Sequence, residues 1–269
     1  MTLLAVTPPP AAQANLLPLI IGLFWLYVPL CFIFVGLYVA KQIRQGRLIN
    51  TANSPMPFAV SGLSGSLFAL MVIQMLFLGA PLLIFILFVL VGIGFLLMET
   101  GHTAAEQFGL ARLRPARVMS WSLLLLGAIV LVEWPLMEIV AWLFHALHLP
   151  DPEQQTVIAF RHFNRPSQFV NFMLEAVVLS PLIEELFFRG FLFTFLKKYT
   201  STWMALILSS GVFAFMHVSL GAALPLWFLG LALGLAYEHT GSLLLPITLH
   251  SCWNLATALS LLLDKVSPS

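Results

Sequence analysis

Apolar stretches of about 20 residues recur along this chain, and they constrain its fold more than any other feature. A helix needs about 20 such residues to cross hydrocarbon, because its backbone N–H and C=O groups must all be bonded within the segment. The pattern predicts spans near residues 16–40, 57–79, 81–99, 119–146, 169–196, 202–220, 222–238 and 242–263. Prolines and glycines mark several joins, at Gly79-Ala-Pro81, Pro150-Asp-Pro152 and Gly241. Of 269 residues, 60% are hydrophobic and 9% charged, against about 25% charged in soluble domains. The expected fold is all-α, a polytopic membrane bundle of about eight transmembrane helices. A net charge of +1 with no basic tail argues against a nucleic-acid partner. Cys31 and Cys252 both lie in apolar segments and read as small buried hydrophobes rather than a disulfide.

The chain divides into a disordered tail over residues 1–15, a first group of spans with a loop over 16–118, and a polar-bearing core over 119–264. The tail holds three consecutive prolines and lacks the basic start of a secretory signal. The first group contains few polar residues, Gln74 being the main one, and reads as packing. Eight basic residues (Lys41, Arg44, Arg47, Arg112, Arg114, Arg117, Lys197, Lys198) fall on one side of the membrane and three (Arg161, Arg165, Lys265) on the other. The positive-inside rule then places both termini outside the cytoplasm.

The core carries acids where acids are costly. Glu184 and Glu185 lie within Ser180-Pro-Leu-Ile-Glu-Glu-Leu-Phe-Phe-Arg-Gly190. An ionised carboxylate at the centre of a membrane helix costs about 3 kcal/mol on insertion scales, so such residues are generally functional. Glu185 and Arg189 are i,i+4 neighbours with the acid ahead of the base, the favourable orientation for pairing. Glu184 is turned by about 100° and faces a different neighbour. The next segment places Phe213 and His217 on one helical face, and the last places His250 and Asn254 on one face. Any one of these pairs reads equally well as interhelical hydrogen bonding. Three pairs on three spans at overlapping depth point instead to convergence on one wet pocket.

Such a pocket suits hydrolysis of an acyl bond. A carboxylate beside a neutral imidazole deprotonates water, and a second histidine with an amide donates to a tetrahedral oxyanion. In an alternative arrangement, Glu184, His217 and His250 bind zinc and leave a fourth position for water. There is no Gly-rich phosphate loop and no helical His-Glu-x-x-His.

Glu184-Glu185-x-x-x-Arg189, Phe213-x-x-x-His217 and His250-x-x-x-Asn254, in that order, resemble the three motifs of the CPBP intramembrane proteases (CAAX protease and bacteriocin-processing, or Abi). The resemblance covers roughly residues 170–258, and Phe108-Gly-Leu with the Arg-rich 111–115 segment is similar to the stretch often found ahead of that core. It implies that Glu184 and His217 activate water, that His250 and Asn254 hold the oxyanion, and that Glu185 and Arg189 support them. It implies an endopeptidase acting on prenylated CAAX-type ends or peptide precursors, with membrane lipids around it. No cofactor is required on this reading, with zinc on Glu184, His217 and His250 as the alternative. The expected location is a prokaryotic inner membrane. The competing function is a non-catalytic transporter or binding and immunity scaffold, since proton relays also use Glu and His. Of the remaining polar residues, Glu133 and Glu138 read as interhelical or near-interface, with Glu138 a candidate for the cavity mouth, and Glu175, nine residues before Glu184, falls on roughly the opposite face about two turns nearer the outside. Tyr237, Glu238 and His239 read as interfacial.

Overall fold

A computed structural model describes residues 86–87, 89–94, 97, 103–148, 160, 163, 166–217 and 219–266. Expectations for the tail, the first two spans, most of the third, and the charges Lys41, Arg44, Arg47, Arg161, Arg165 and Lys265 lie outside these residues or their described side chains. Among the described residues every regular element is helical. In chain order these are α1 (Ala104–Gln107), α2 (Pro115–Ala146), α3 (166–199), α4 (Thr202–Met216), α5 (Leu220–Thr240) and α6 (Leu244–Val266). Helix starts carry local chemistry that explains them. Ser201 accepts from the Met204 amide at the head of α4, and Ser219 from the Ala222 amide at the head of α5, satisfying N–H groups that the helix itself leaves free.

α2 and α5 are both long and apolar enough to cross a membrane, but they sit differently. Only 17% of the most apolar window of α2 is buried, against 56% for α5. α2 therefore lies at the periphery and turns Leu124, Leu131, Trp134 and Trp142 outward. α5 runs through the centre. Its Gly230 and Gly234 let α4 approach closely. A Cβ on Gly230 would lie 2.9 Å from Ser210 Cβ, and one on Gly234 would lie 2.7 Å from Leu206 Cδ2. The Gly-x-x-x-Gly spacing is the small-residue device by which membrane helices pack without a hydrophobic driving force between them. The core is filled by Phe187, Phe188, Leu206, Phe213, Leu229 and Leu249 from α3 to α6.

α3 departs from a regular helix. Two π-helical stretches, Leu174–Leu179 and Leu186–Phe193, flank one α-helical turn, Ser180–Glu185. Pro181 accounts for the first. The Ser180 amide reaches back five residues to the Glu175 carbonyl. The next bond in that register would come from residue 181, but proline has no N–H. The Ala176 carbonyl is left over, and Asn254 Nδ2 from α6 donates to it at 2.7 Å. The segment ahead of the core also docks on α3. Phe108 is buried against Gly190, whose Cβ, if present, would come within 3.1 Å of the Phe108 ring, and the Leu243 amide donates to the Phe108 carbonyl at 3.0 Å.

The C-terminal end of α5 differs from expectation. Tyr237 is buried rather than interfacial, packed edge-on against Phe193. Glu238 accepts from Lys197 of α3 at 2.6 and 2.7 Å. Tyr237 and Glu238 thus tie α5 to α3, whereas His239 is exposed. Glu133 also differs: it is 2% exposed and its Oε1 has no hydrogen-bond partner, so interhelical bonding through that atom does not describe it.

Candidate active site

The α-helical turn between the two π stretches of α3 presents both glutamates. π insertions are frequent at functional sites because they rotate side chains out of the regular register. Glu185 is fully buried, and its Oε1 accepts from Arg189 Nη1 at 2.6 Å. Arg189 is 1% exposed. Its Nη2 donates to the Gly230 carbonyl at 2.9 Å, and its guanidinium lies 4.7 Å from the centre of the Phe213 ring, within cation–π range. The charge is thus held by a carboxylate, a carbonyl and a ring face, each from a different helix. Gly230 contributes through its backbone, a role visible in the sequence only as half of a Gly-x-x-x-Gly pair.

Glu185 Oε1 also receives His250 Nδ1 at 2.9 Å. A carboxylate can only accept, so Nδ1 carries the hydrogen. His250 is 2% exposed, and the Phe213 ring packs edge-on against it. His217 has a parallel arrangement. Its Nδ1 lies 2.8 Å from the Phe213 carbonyl, which fixes that hydrogen on Nδ1 as well. In both neutral rings, Nε2 is left as the free base.

Both Nε2 atoms face Glu184. Its Oε2 is 4.0 Å from His217 Nε2 and 4.0 Å from His250 Nε2. That oxygen is buried and has no hydrogen-bond partner. Three acceptors therefore face one another across a gap that requires a donor between them. A single water, with hydrogen bonds of about 2.8 Å, bridges 4.0 Å. Zn–N of about 2.0–2.1 Å and Zn–O of about 2.0–2.2 Å place tetrahedral ligands about 3.4 Å apart, so His217 and His250 would each have to close in on Glu184 to hold zinc. Among the described residues, no group of three or more His, Cys, Asp or Glu side chains has metal-holding geometry.

The structure thus brings together Glu184, Glu185, Arg189, His217 and His250. Asn254 lies one turn beyond His250 on α6, and its amide is engaged by Ala176. The link between Glu185 and His250, 65 residues apart, joins the first motif to the third and has no local signature.

Residues 166–256 match the family model described as Rce1-like, type II CAAX prenyl endopeptidase. The match starts at the first residue of α3 and ends two residues past Asn254, so it contains all three motifs and every side chain of the pocket. No curated protein and no solved structure matches the chain. The matching family and the two long apolar helices point to a membrane protein, and the family implies a peptidase. Over residues 166–256, the chain is thus similar to the Rce1-like type II CAAX prenyl endopeptidases, in agreement with the CPBP motifs.

Proposed function

We propose that this protein is an intramembrane endopeptidase in which Glu184 and His217 activate a water and His250 stabilises the oxyanion. The carrying observation is the partnerless Glu184 Oε2, 4.0 Å from two imidazole Nε2 atoms. Water in that gap donates one hydrogen to Glu184 and one to His217, which aims its oxygen lone pair at a carbonyl. As the oxygen bonds to the scissile carbon, Glu184 takes the proton and the carbonyl oxygen becomes anionic. His250 can donate to that oxyanion from Nε2 when its ring carries a second proton, and the Glu185 carboxylate on Nδ1 stabilises that imidazolium. The proton on Glu184 then passes to the leaving nitrogen as the C–N bond breaks, giving an amine and a carboxylic acid, whose remaining proton passes to the released amine. Asn254 retains one amide N–H beyond the one given to Ala176, and that N–H is the second oxyanion donor in this reading.

The distances favour water over zinc as the group that Glu184, His217 and His250 hold. The substrate class follows the family: a prenylated CAAX-type end or another membrane-associated peptide. The test is release of the terminal tripeptide from a farnesylated CAAX peptide, beside an unprenylated control and secreted-peptide precursors, by the protein in nanodiscs. Wild type cleaves, and Glu184→Gln and His217→Ala do not, while both variants keep the wild-type melting temperature. Cleavage retained by Glu184→Gln overturns the mechanism. Activity that disappears on exhaustive chelation and returns with zinc overturns the metal-free version.

A further inference from the structure

Glu133 stands outside the site built on α3, α4 and α6. It lies near the middle of α2, is 2% exposed, and its Oε1 has no hydrogen-bond partner. It lines a cavity of about 360 Å³ between α2, α5 and the start of α6. None of the catalytic candidates touches this cavity. α5 separates the two: Gly230 and Gly234 face α4, whereas Phe228, Ala232 and Leu235 face α2 and line the cavity.

The cavity is long and apolar. Trp121 and Glu133 both line it and are 12 positions apart on α2, about 18 Å along the helix axis. Trp121 and the exposed His239 mark the end near the Gly241 turn. Glu133, Val132 and Phe228 mark the other. No lysine or arginine lines the wall, and His239 is the one other titratable side chain there. A carboxyl buried in apolar surroundings without a partner is costly, and within a membrane it is by default a sign of function.

We propose that this cavity binds a single-chain lipophilic amine drawn from the bilayer, with its ammonium on Glu133 and its hydrocarbon chain along the slot toward Trp121. A carboxylate is acceptor-only and an ammonium donor-only, so the two complement each other. Apart from Glu133, His239 and Thr240, the wall is aliphatic and aromatic and fits a hydrocarbon chain. An alcohol of the same length has the chain but not the charge, and a fatty acid would set a second carboxyl against the first.

The test uses the full-length protein in nanodiscs with 11-bromoundecylamine and 11-bromoundecanol as probes. Bromine at the far end of a bound chain quenches Trp121. The expected result is a saturable quench, absent in Trp121→Phe, with a half-point about tenfold or more lower for the amine than for the alcohol. Tenfold is the low end for a hydrogen bond to a charged group. Glu133→Gln brings the two half-points together. Ala232→Leu, which fills the slot without touching the carboxyl, raises both. Equal half-points in the wild type overturn the proposal, as does an amine preference that survives Glu133→Gln. If Glu133→Gln fails to fold, the wild-type comparison and Ala232→Leu still decide, because an amine half-point unmoved by Ala232→Leu places the ligand elsewhere.

Discussion

Glu184 and Glu185 are adjacent in the chain yet occupy opposite sides of the same site. Glu185 is fully buried, and its Oε1 accepts from both Arg189 and His250, while its Oε2 has no hydrogen-bond partner. The Glu184 side chain is 20% exposed, and its Oε2 has no partner. The side around Glu185 is built of held charges: a carboxylate, a guanidinium bonded to a backbone carbonyl, and an imidazole with its hydrogen fixed. The side around Glu184 is built of free lone pairs on residues that are partly open, His217 among them at 28%. In the proposed mechanism the first side positions and the second reacts, and those tasks need these opposite conditions. The held side cannot move without leaving a buried charge, and the free side cannot be satisfied without a ligand.

Conservative amide substitutions break the comparison most directly. Glu184→Gln keeps the shape and removes the base, so kcat should fall by about 10³-fold or more, near the upper range for a general base, with folding unchanged. A fall in melting temperature with activity retained per folded molecule would make the two glutamates equivalent. Arg189→Met should act through stability instead. It leaves Glu185 as a buried carboxylate facing only His250, a loss of about 3–5 kcal/mol. Guanidinium-chloride unfolding in detergent measures it. A loss below about 1 kcal/mol would mean that the ion pair braces nothing.

Glu185→Gln tests whether the brace also serves chemistry. The amide still accepts from Arg189 or His250 but no longer balances their charge. Loss of a partner that orients a reacting imidazole costs about 10–100-fold in activity. The fall should appear in kcat with KM unchanged, because His250 is proposed to meet the oxyanion and not the ground-state substrate. A change confined to KM would move Glu185 from positioning to substrate binding.

The contrast between the two glutamates was half legible in the sequence. The i,i+4 spacing of Glu185 and Arg189 gives their ion pair, and the one-residue offset sends Glu184 elsewhere. The spacing survives although residues 186–193 are π-helical, a change of period that apolar composition conceals. Pro181 is the visible cue for the first π stretch, and Gly230 with Gly234 is the visible cue for the α4–α5 contact. The Glu185–His250 bond is not legible, because no local pattern couples residues 65 apart. Tyr237 was misplaced for a related reason: an aromatic near a helix end suits an interface or a core equally, and only the neighbours supplied by α3 decide.

Asn254 sharpens the comparison because it stands between the two sides. Its Nδ2 donates to the carbonyl that Pro181 leaves without an amide, which is a structural task, and its second N–H is assigned to the oxyanion, which is a chemical one. The two tasks predict different numbers. If Asn254 only repairs α3, Asn254→Ala costs about 1 kcal/mol or somewhat more, the scale of one lost hydrogen bond to a partly buried carbonyl, and kcat per folded molecule is unchanged. If it also donates to the oxyanion, kcat falls by about 10²-fold or more on top of that loss. A loss of stability without the fall in kcat would leave His250 as the sole side-chain donor. Pro181→Ala separates the tasks further, since it restores the missing amide to α3. In the Pro181→Ala background, Asn254→Ala should lose most of its effect on stability and keep its whole effect on kcat.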